Sequence, residues 1–171
     1  MYLGSHKLML DGKSRLSIPY TFRRNFNEQR DGHSIYIVPG RRPRTLALYQ
    51  ENVYNALRRA EPDNESLSDS AYEFRMFESG NTVLTDPDDQ GRILLPQWLL
   101  ERIEMGKEVT LVGMENHLVL WRRNDYEEFC RDMWPRVREQ RAAVREEMRA
   151  IASREARRAT MTPEKEPAAQ D

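Results

Sequence analysis

The chain has 171 residues, 39% of them hydrophobic and 32% charged, and a formal net charge of −1, which suits a modest core under a large solvated surface. No run approaches the roughly 18 apolar residues of a membrane span, no long apolar stretch at the N-terminus resembles a secretory signal, and the single cysteine, Cys130, excludes an intramolecular disulfide. We therefore expect a cytoplasmic protein that makes no membrane contact.

The first predicted elements are two short strands joined by a tight turn. Residues 7–10 form the first strand, a turn begins at Asp11, and residues 16–18 alternate apolar and polar side chains as a half-buried strand does. An Asp at the start of a turn accepts hydrogen bonds from the backbone N–H groups that follow it. This pattern predicts that Arg15 is held where the turn meets the second strand.

A short helix is predicted to follow Pro19, because the missing N–H of a proline costs nothing in the first turn of a helix. Phe22 and Phe26 are four residues apart and share one face of that helix. Leu99 and Ile103 take the same two places after a second proline later in the chain. The agreement predicts four core residues rather than a ligand site.

Two further strands, residues 35–38 and 46–49, are separated by a basic turn that contains Arg41, Arg42 and Arg44. Residues 1–60 together hold 11 Lys and Arg against 4 Asp and Glu. A positive field concentrated in one part of a protein attracts polyanions. The alternative is that these basic side chains are only exposed to solvent and bind no polyanion.

An acidic linker, assigned to residues 52–81, follows the first strands. Residues 61–90 hold one Arg against nine Asp and Glu. Ala71, Phe74, Met76 and Phe77 make the partly apolar face of a helix predicted in this linker. We expect that face to pack against another part of the protein.

The most specific feature is a nine-residue phrase that occurs twice. Residues 11–19 and 88–96 both fit Asp-x-Lys/Gln-small-Arg-aliphatic-x-aliphatic-Pro, at an offset of 77. The strand runs that follow each copy also correspond, at offsets of 74 and 72, because loops vary in length more readily than strands. Segments aligned in the same order predict a duplicated structural unit. Each unit alone is too small to bury its own core, so we expect the two copies to interleave their strands in one barrel.

From about residue 124 the pattern becomes helical. Apolar residues recur every three, four or seven positions from Trp134 to Ile151. Arg141 occupies one position of this series in place of an apolar residue. Pro135 is predicted to divide this region into two helices, since an interior proline costs about 3 kcal/mol. The narrow stripe is expected to pack on its own domain or on a neighbouring subunit, and the tail is expected to be disordered.

The repeated phrase resembles the SpoVT/AbrB superfamily, whose swapped-hairpin barrels bind DNA. Two tandem copies, opened by Met-x-Leu-Gly at residues 1–4 and separated by an acidic helical linker, are similar to the MraZ family of bacterial transcriptional regulators. The resemblance implies an α+β fold, namely a duplicated swapped-hairpin (double-split β-α-β) barrel with C-terminal helices. The implied divisions are repeat 1 (5–51), the acidic helical linker (52–81), repeat 2 (82–124), C-terminal helices (125–160) and a disordered tail (161–171).

The resemblance also implies a function. It suggests a ring-like homo-oligomer that binds repeated sites on double-stranded DNA upstream of its own division and cell-wall operon, in association with the nucleoid.

Ser14 departs from the glycine that the family usually has in the first copy. A Ser enters a left-handed turn at some cost, which we expect Gly12 beside it to relieve by adjusting the turn.

Eight basic residues are the candidate DNA contacts. In one interpretation Arg15 is bidentate to guanine or phosphate, with Lys13 beside it as a point charge; in the other, Arg15 is a structural arginine that ties down its turn. Arg92 occupies the same place in the less basic copy, and Arg23 and Arg24 either contact phosphate or are simply exposed. The basic turn adds three more candidates for phosphate contact. The full set is Lys13, Arg15, Arg23, Arg24, Arg41, Arg42, Arg44 and Arg92.

No sequence pattern favours catalysis, a metal or a cofactor. His6, His33 and His117 are scattered without Cys partners, and Asp11 and Asp88 are better explained as turn caps than as paired catalytic carboxylates. Phosphate-loop, dinucleotide and nucleophile-elbow motifs are missing. We therefore expect a DNA-binding regulator that is not an enzyme and has no cofactor. The alternative is a protein–protein assembly module without specific DNA contact, and an antitoxin of the same superfamily is a third, weaker interpretation.

Overall fold

A computed structural model describes residues 1–161 of the chain, and its side chains as far as residue 155. Two units divide the chain, Met1–Glu127 and a second that begins at Glu128. The segments assigned to the two repeats and the linker belong to the first unit. Residues 162–171 of the predicted tail lie outside the described residues.

Eight strands and seven α-helices follow one another in the described part of the chain. The strands are β1 Ser5–Met9, β2 Arg15–Ser17, β3 Ile35–Pro39, β4 Thr45–Gln50, β5 Val83–Thr85, β6 Arg92–Leu94, β7 Glu108–Met114 and β8 His117–Arg122. The helices are α1 Tyr20–Arg23, α2 Glu28–Asp31, α3 Glu51–Arg59, α4 Asp69–Gly80, α5 Gln97–Arg102, α6 Arg123–Met133 and α7 Val137–Met161. Two short 3-10 turns lie at Asn64–Ser66 and Trp134–Arg136.

The fold is α+β, with antiparallel strand pairing and C-terminal helices. Six strands form one sheet in the order β1-β7-β8-β4-β3-β5, and β2 pairs with β6 in a separate two-stranded ribbon. The strands on either side of each repeated turn pair with strands of the other repeat: β1 with β7, β5 with β3, and β2 with β6. The two copies therefore interleave, as the duplication predicts.

The interleaved pairs are equivalent in register. Leu8 opposes Val109 in one half of the sheet, and Thr85 opposes Ile35 in the other. Leu8 corresponds to Thr85 in the duplicated sequence, and Ile35 corresponds to Val109. The two pairs therefore join equivalent positions, with the roles of the two repeats exchanged. The order of the six strands is also unchanged when the corresponding strands of the two repeats are exchanged. The duplication seen in the sequence is thus a duplication of the pairing scheme.

Buried side chains from both repeats form one core cluster. Phe22 and Leu99 are each 1% exposed and belong to that cluster, so the prediction for these two residues is confirmed. Helices α1 and α5 are shorter than predicted and end before Phe26 and Ile103. These two side chains are only partly buried, although they still pack against the core cluster.

Helix α4 packs through a different face from the one predicted. Its half-buried side chains include Arg75 and Glu78, which form ion pairs with Glu61 at 2.9 Å and with Arg58 at 3.1 Å. The residues predicted to pack are instead exposed, except for half-buried Ala71: Phe74 (61%), Met76 (60%) and Phe77 (53%). The side of α4 that faces the rest of the described chain is therefore the one with Arg75 and Glu78, and its aromatic residues face solvent.

The C-terminal region contains two helices, as predicted from Pro135. The proline lies in the 3-10 turn Trp134–Arg136, between α6 and α7. Trp134, Met148 and Ile151 of the predicted apolar stripe are exposed.

Candidate nucleic-acid interface

The β2–β6 ribbon presents one face to the core and the other to solvent. Leu16 and Ile93 oppose each other, and neither has any exposed surface. Neighbouring residues of a strand point to opposite faces, and residues directly across a pair share a face. The outward-facing residues are therefore Arg15 opposite Leu94, and Arg92 opposite Ser17. The two repeated arginines lie on one solvent face. They are diagonal neighbours, a relation that places their Cα atoms about 7–8 Å apart.

The first turn is built around Asp11. Its Oδ1 accepts hydrogen bonds from the backbone N–H groups of Lys13 at 2.8 Å and Arg15 at 2.9 Å. Its Oδ2 accepts a bond from Nε of Arg15 at 2.6 Å. The Ser14 N–H donates to the Asp11 carbonyl at 3.0 Å, with Ser14 at a φ of 58°. One carboxylate thus holds both the backbone of the turn and its arginine.

The second turn repeats this arrangement around Asp88. The Asp88 Oδ1 accepts from the N–H groups of Gln90 at 3.0 Å and Arg92 at 2.9 Å, and Oδ2 accepts from Nε of Arg92 at 2.8 Å. Gly91 takes the place of Ser14, at a φ of 71°. The prediction that the two aspartates are turn caps is confirmed by these bonds. Gly12 lies outside the left-handed region, so Ser14 itself adopts the strained φ and the expected relief by Gly12 does not occur.

The hydrogen bonds lower the pKa of both turn carboxyls. The N–H of Arg15 is the largest cause for Asp11 and, with the further bonds from Arg15 and Lys13, lowers its pKa to about 2. The guanidinium of Arg92 is the largest cause for Asp88, whose pKa is also lowered. Both carboxyls are therefore ionised over the physiological range, and each offsets the charge of its arginine.

Both arginines bond to the carboxylate of their own turn through Nε. Arg15 bonds to Asp11 through Nε, and its two terminal nitrogens donate no hydrogen bond to any residue that the structure describes. Arg92 bonds to Asp88 through Nε in the same way, and its Nη2 lies 2.7 Å from Oδ2 of Asp88. Arg15 thus combines a tied turn with two nitrogens that remain available to an outside acceptor. The structural and the DNA-contacting interpretations of Arg15 are compatible with each other.

The other candidates of the first repeat surround the ribbon unequally. Arg23 donates from Nε to the Ile18 carbonyl at 2.9 Å and crosses directly over Gly91. Lys13 and Arg24 are exposed, and neither forms an ion pair within residues 1–155. These two cations carry charge that no carboxylate of the described chain offsets. Arg23, by contrast, has a structural contact with the second turn.

The three arginines of the basic turn have other surroundings. Arg44 pairs with Glu104 at 3.0 Å and with Asp125 at 3.6 Å. Arg42 lies over the ring of Trp121, 5.9 Å from its centroid. Arg41 is exposed. The structure therefore groups Lys13, Arg15, Arg23 and Arg92 around the ribbon turns and places contacts of Arg42 and Arg44 elsewhere.

No metal-binding or membrane-spanning feature is found in the described part of the chain. Among residues 1–155, no group of three His, Cys, Asp or Glu side chains is arranged to hold a metal ion. No helix within residues 1–161 is both long enough and apolar enough to cross a membrane.

Comparison with known proteins adds a family to this geometry. A family model described as "MraZ protein, putative antitoxin-like" matches residues 76–146. A Marinobacter nauticus protein named transcriptional regulator MraZ is 30% identical over 120 residues, which are 70% of this chain and 80% of the relative. The chain belongs to the MraZ family.

Two more MraZ proteins show the same extent of similarity. Proteins of that name from Dictyoglomus thermophilum and Oenococcus oeni are 29% and 26% identical over 132 and 129 residues. These alignments cover 77% and 75% of the chain and 86% of each relative. The resemblance inferred from the repeated phrase is thus confirmed over most of the chain.

One contact of the first turn was missed by the sequence analysis. The hydroxyl of Ser14 donates to Oε1 of Gln97 at 2.8 Å, from the first residue of α5 in the other repeat. Nothing in the sequence distinguishes Gln97, because its counterpart in the first copy is Tyr20. The contact follows only from the interleaved pairing.

Proposed function

We propose that this MraZ-family chain is a transcriptional regulator that binds double-stranded DNA through the outer face of the β2–β6 ribbon. The carrying observation is the pair of arginine turns on that one solvent face. The ordered turns reduce the entropy lost when Arg15 meets its acceptor, and Arg15 keeps two free terminal nitrogens for a bidentate contact. Lys13 adds an exposed cation next to it in the chain.

We further propose that repeats 5–51 and 82–124 form a swapped-hairpin (double-split β-α-β) barrel. The support is the exchange of partners between the repeats and the equivalence of their registers. In this arrangement each repeat completes the core of the other. The linker, C-terminal helices and tail are assigned as residues 52–81, 125–160 and 161–171.

The regulator is proposed to act as a ring-like homo-oligomer on repeated sites upstream of its own division and cell-wall operon, in the cytoplasm and on the nucleoid. Two exposed apolar surfaces support assembly: the aromatic face of α4 and the stripe of α7. Several copies of the ribbon on one assembly make binding to repeated sites multivalent. Affinity should therefore fall steeply with salt, since each neutralised phosphate releases counterions.

The test compares Arg15→Ala with Arg92→Ala in fluorescence anisotropy on DNA from upstream of the gene, at several salt concentrations. Arg15→Ala should weaken binding by about 1–3 kcal/mol per subunit if Arg15 meets a base edge. If it meets only phosphate, all DNA sequences should be weakened alike and the salt slope should fall by about 1. Arg92→Ala should have a smaller effect, because Gln90 stands in its turn at the place that the cation Lys13 takes in the first turn.

Arg59→Ala is the charge-matched control. Arg59 is exposed, lies at the end of α3, and forms no ion pair within the described residues. Its removal changes the net charge by the same amount without touching either turn. Equal effects of Arg15→Ala and Arg59→Ala would show that the ribbon face does not bind DNA.

The competing function is a protein–protein assembly module without specific DNA contact. The exposed aromatic residues of α4 favour it, since contiguous apolar surface marks interaction sites. A stable oligomer that shows no salt-dependent shift with upstream DNA would support this function and contradict DNA binding.

A further inference from the structure

Each arginine turn is contacted by the first helix of the opposite repeat, but through a different side chain. The second turn is crossed by Arg23, which follows Pro19 in the first repeat. The residue that corresponds to Arg23 in the second repeat is Leu100, which is buried in the core cluster. No guanidinium therefore crosses the first turn from that position. Gln97 supplies the contact to the first turn instead.

Gln97 is itself oriented by a second hydrogen bond. Its Nε2 donates to Oε1 of Glu101 at 2.9 Å, one turn further along α5. Its Oε1 is thereby directed to the Ser14 hydroxyl, from which it accepts at 2.8 Å. The bond to Glu101 fixes the amide orientation, because a carboxylate only accepts and a flipped amide would turn its own oxygen toward that carboxylate.

The contact falls on the strained residue of the turn. Ser14 has a φ of 58°, a conformation that only glycine adopts without steric cost. Its carbonyl also accepts from the Leu95 N–H at 3.0 Å. Backbone and side chain of Ser14 are thus both tied to the second repeat. Ser14 stands between Lys13 and Arg15, so its position determines theirs.

We propose that Gln97 is a positioning residue for DNA binding, holding the turn that carries Lys13 and Arg15 through the Ser14 hydroxyl. This inference rests on the proposed function. Without Gln97 the turn samples more conformations in the free protein, and ordering them on DNA lowers the affinity. One exposed hydrogen bond of this kind corresponds to a loss on the order of two- to tenfold.

A double-mutant cycle tests the proposal. Gln97→Ala and Ser14→Ala should each weaken DNA binding two- to tenfold, and the double variant should be no weaker than either single one. The salt slope should stay at the wild-type value in all three, because no phosphate-binding charge is removed. Gln29→Ala is the matched control: Gln29 is exposed in α2 and makes no side-chain hydrogen bond within the described residues.

A conservative exchange provides the rescue. Gln97→Glu combined with Glu101→Gln reverses the two side chains, keeps the net charge and leaves an acceptor for Ser14. In this double variant the amides of Ser14 and Arg15 should exchange as slowly as in the wild type in the absence of DNA, with the same oligomer mass. If these amides exchange as fast as in Gln97→Ala, the acceptor at position 97 does not position the turn and the inference is overturned.

Amide hydrogen exchange supplies a readout without DNA. In Gln97→Ala the amides of Ser14 and Arg15 should exchange faster, while those of Gly91 and Arg92 in the second turn stay unchanged. Unchanged exchange in the first turn, or additive effects in the cycle, would overturn this inference while Arg15→Ala still weakened binding. If Arg15→Ala itself had no more effect than Arg59→Ala, the proposed function would fail instead.

Discussion

Gly91→Ala should destabilise the protein far more than its small size suggests. Gly91 has a φ of 71°, and a Cβ at this position would lie 2.3 Å from Cδ of Arg23. The left-handed conformation costs an alanine about 1–2 kcal/mol. Moving Arg23 aside also breaks its hydrogen bond to the Ile18 carbonyl, worth about 0.5–1.5 kcal/mol. We expect a loss of about 2–3 kcal/mol in the free energy of unfolding.

Equilibrium urea unfolding at one fixed protein concentration measures this loss, because assembly makes apparent stability depend on concentration. Gly12→Ala is the matched control in the first turn: its φ is not left-handed, and an added Cβ would meet nothing within 4 Å. It should change the free energy of unfolding by less than about 1 kcal/mol, in either direction.

A second background separates the two causes. With Arg23→Ala already present, Gly91→Ala should cost only the backbone share of about 1–2 kcal/mol. If Gly91→Ala is as mild as Gly12→Ala, the crossing of Arg23 over the second turn is not a feature of the folded protein. If Gly91→Ala lowers the free energy of unfolding as much in the Arg23→Ala background as in the wild type, the clash with Arg23 is refuted. The backbone cost would still stand.

Three further perturbations address the turn carboxylate, the ribbon core and the C-terminal helix. Asp11 has its pKa lowered from 3.8 to about 2, so the stability it contributes is complete above the ordinary value and is lost as the pH falls through the lowered one; Asp11→Asn should remove this part of the acid dependence in urea unfolding. Leu16→Ala should cost about 2–5 kcal/mol, since Leu16 is fully buried, whereas Ser17→Ala on the outer face should stay within about 0.5 kcal/mol in the same assay. Met148→Asp in the exposed stripe of α7 should reduce the oligomer mass measured by light scattering coupled to gel filtration, and an unchanged mass would exclude that stripe from the assembly contact.

Much of the architecture could be predicted because the sequence contains the same structural unit twice. The two copies of the phrase identified equivalent turns, and Asp11 and Asp88 take the capping role that their position predicts. Phe22 and Leu99 were predicted as core residues, and Pro135 as the break between two helices. These features depend on local geometry, namely the hydrogen bonds of an Asp in a turn, helical spacing and the missing N–H of proline.

The face of a helix was harder to predict than the helix itself. Periodicity located α4, yet the charged residues Arg75 and Glu78 face inward and the aromatic ones face solvent. Hydrophobic pattern alone assigns the apolar face to the interior. Here the charges of α4 instead pair with Glu61 and Arg58, which only the folded chain brings next to them.

The sequence by itself determined the family, the duplicated unit and the aspartate that caps each turn, because these depend on residues within a few positions of one another. Only the tertiary structure decided which strands pair, that Arg15 and Arg92 share one outer face, and that Gln97 meets Ser14. Alternation along a strand sets which side chains point inward but carries no information on the partner strand. Contacts 83 residues apart, such as Ser14 with Gln97, arise only when the two repeats exchange strands and bring distant segments together.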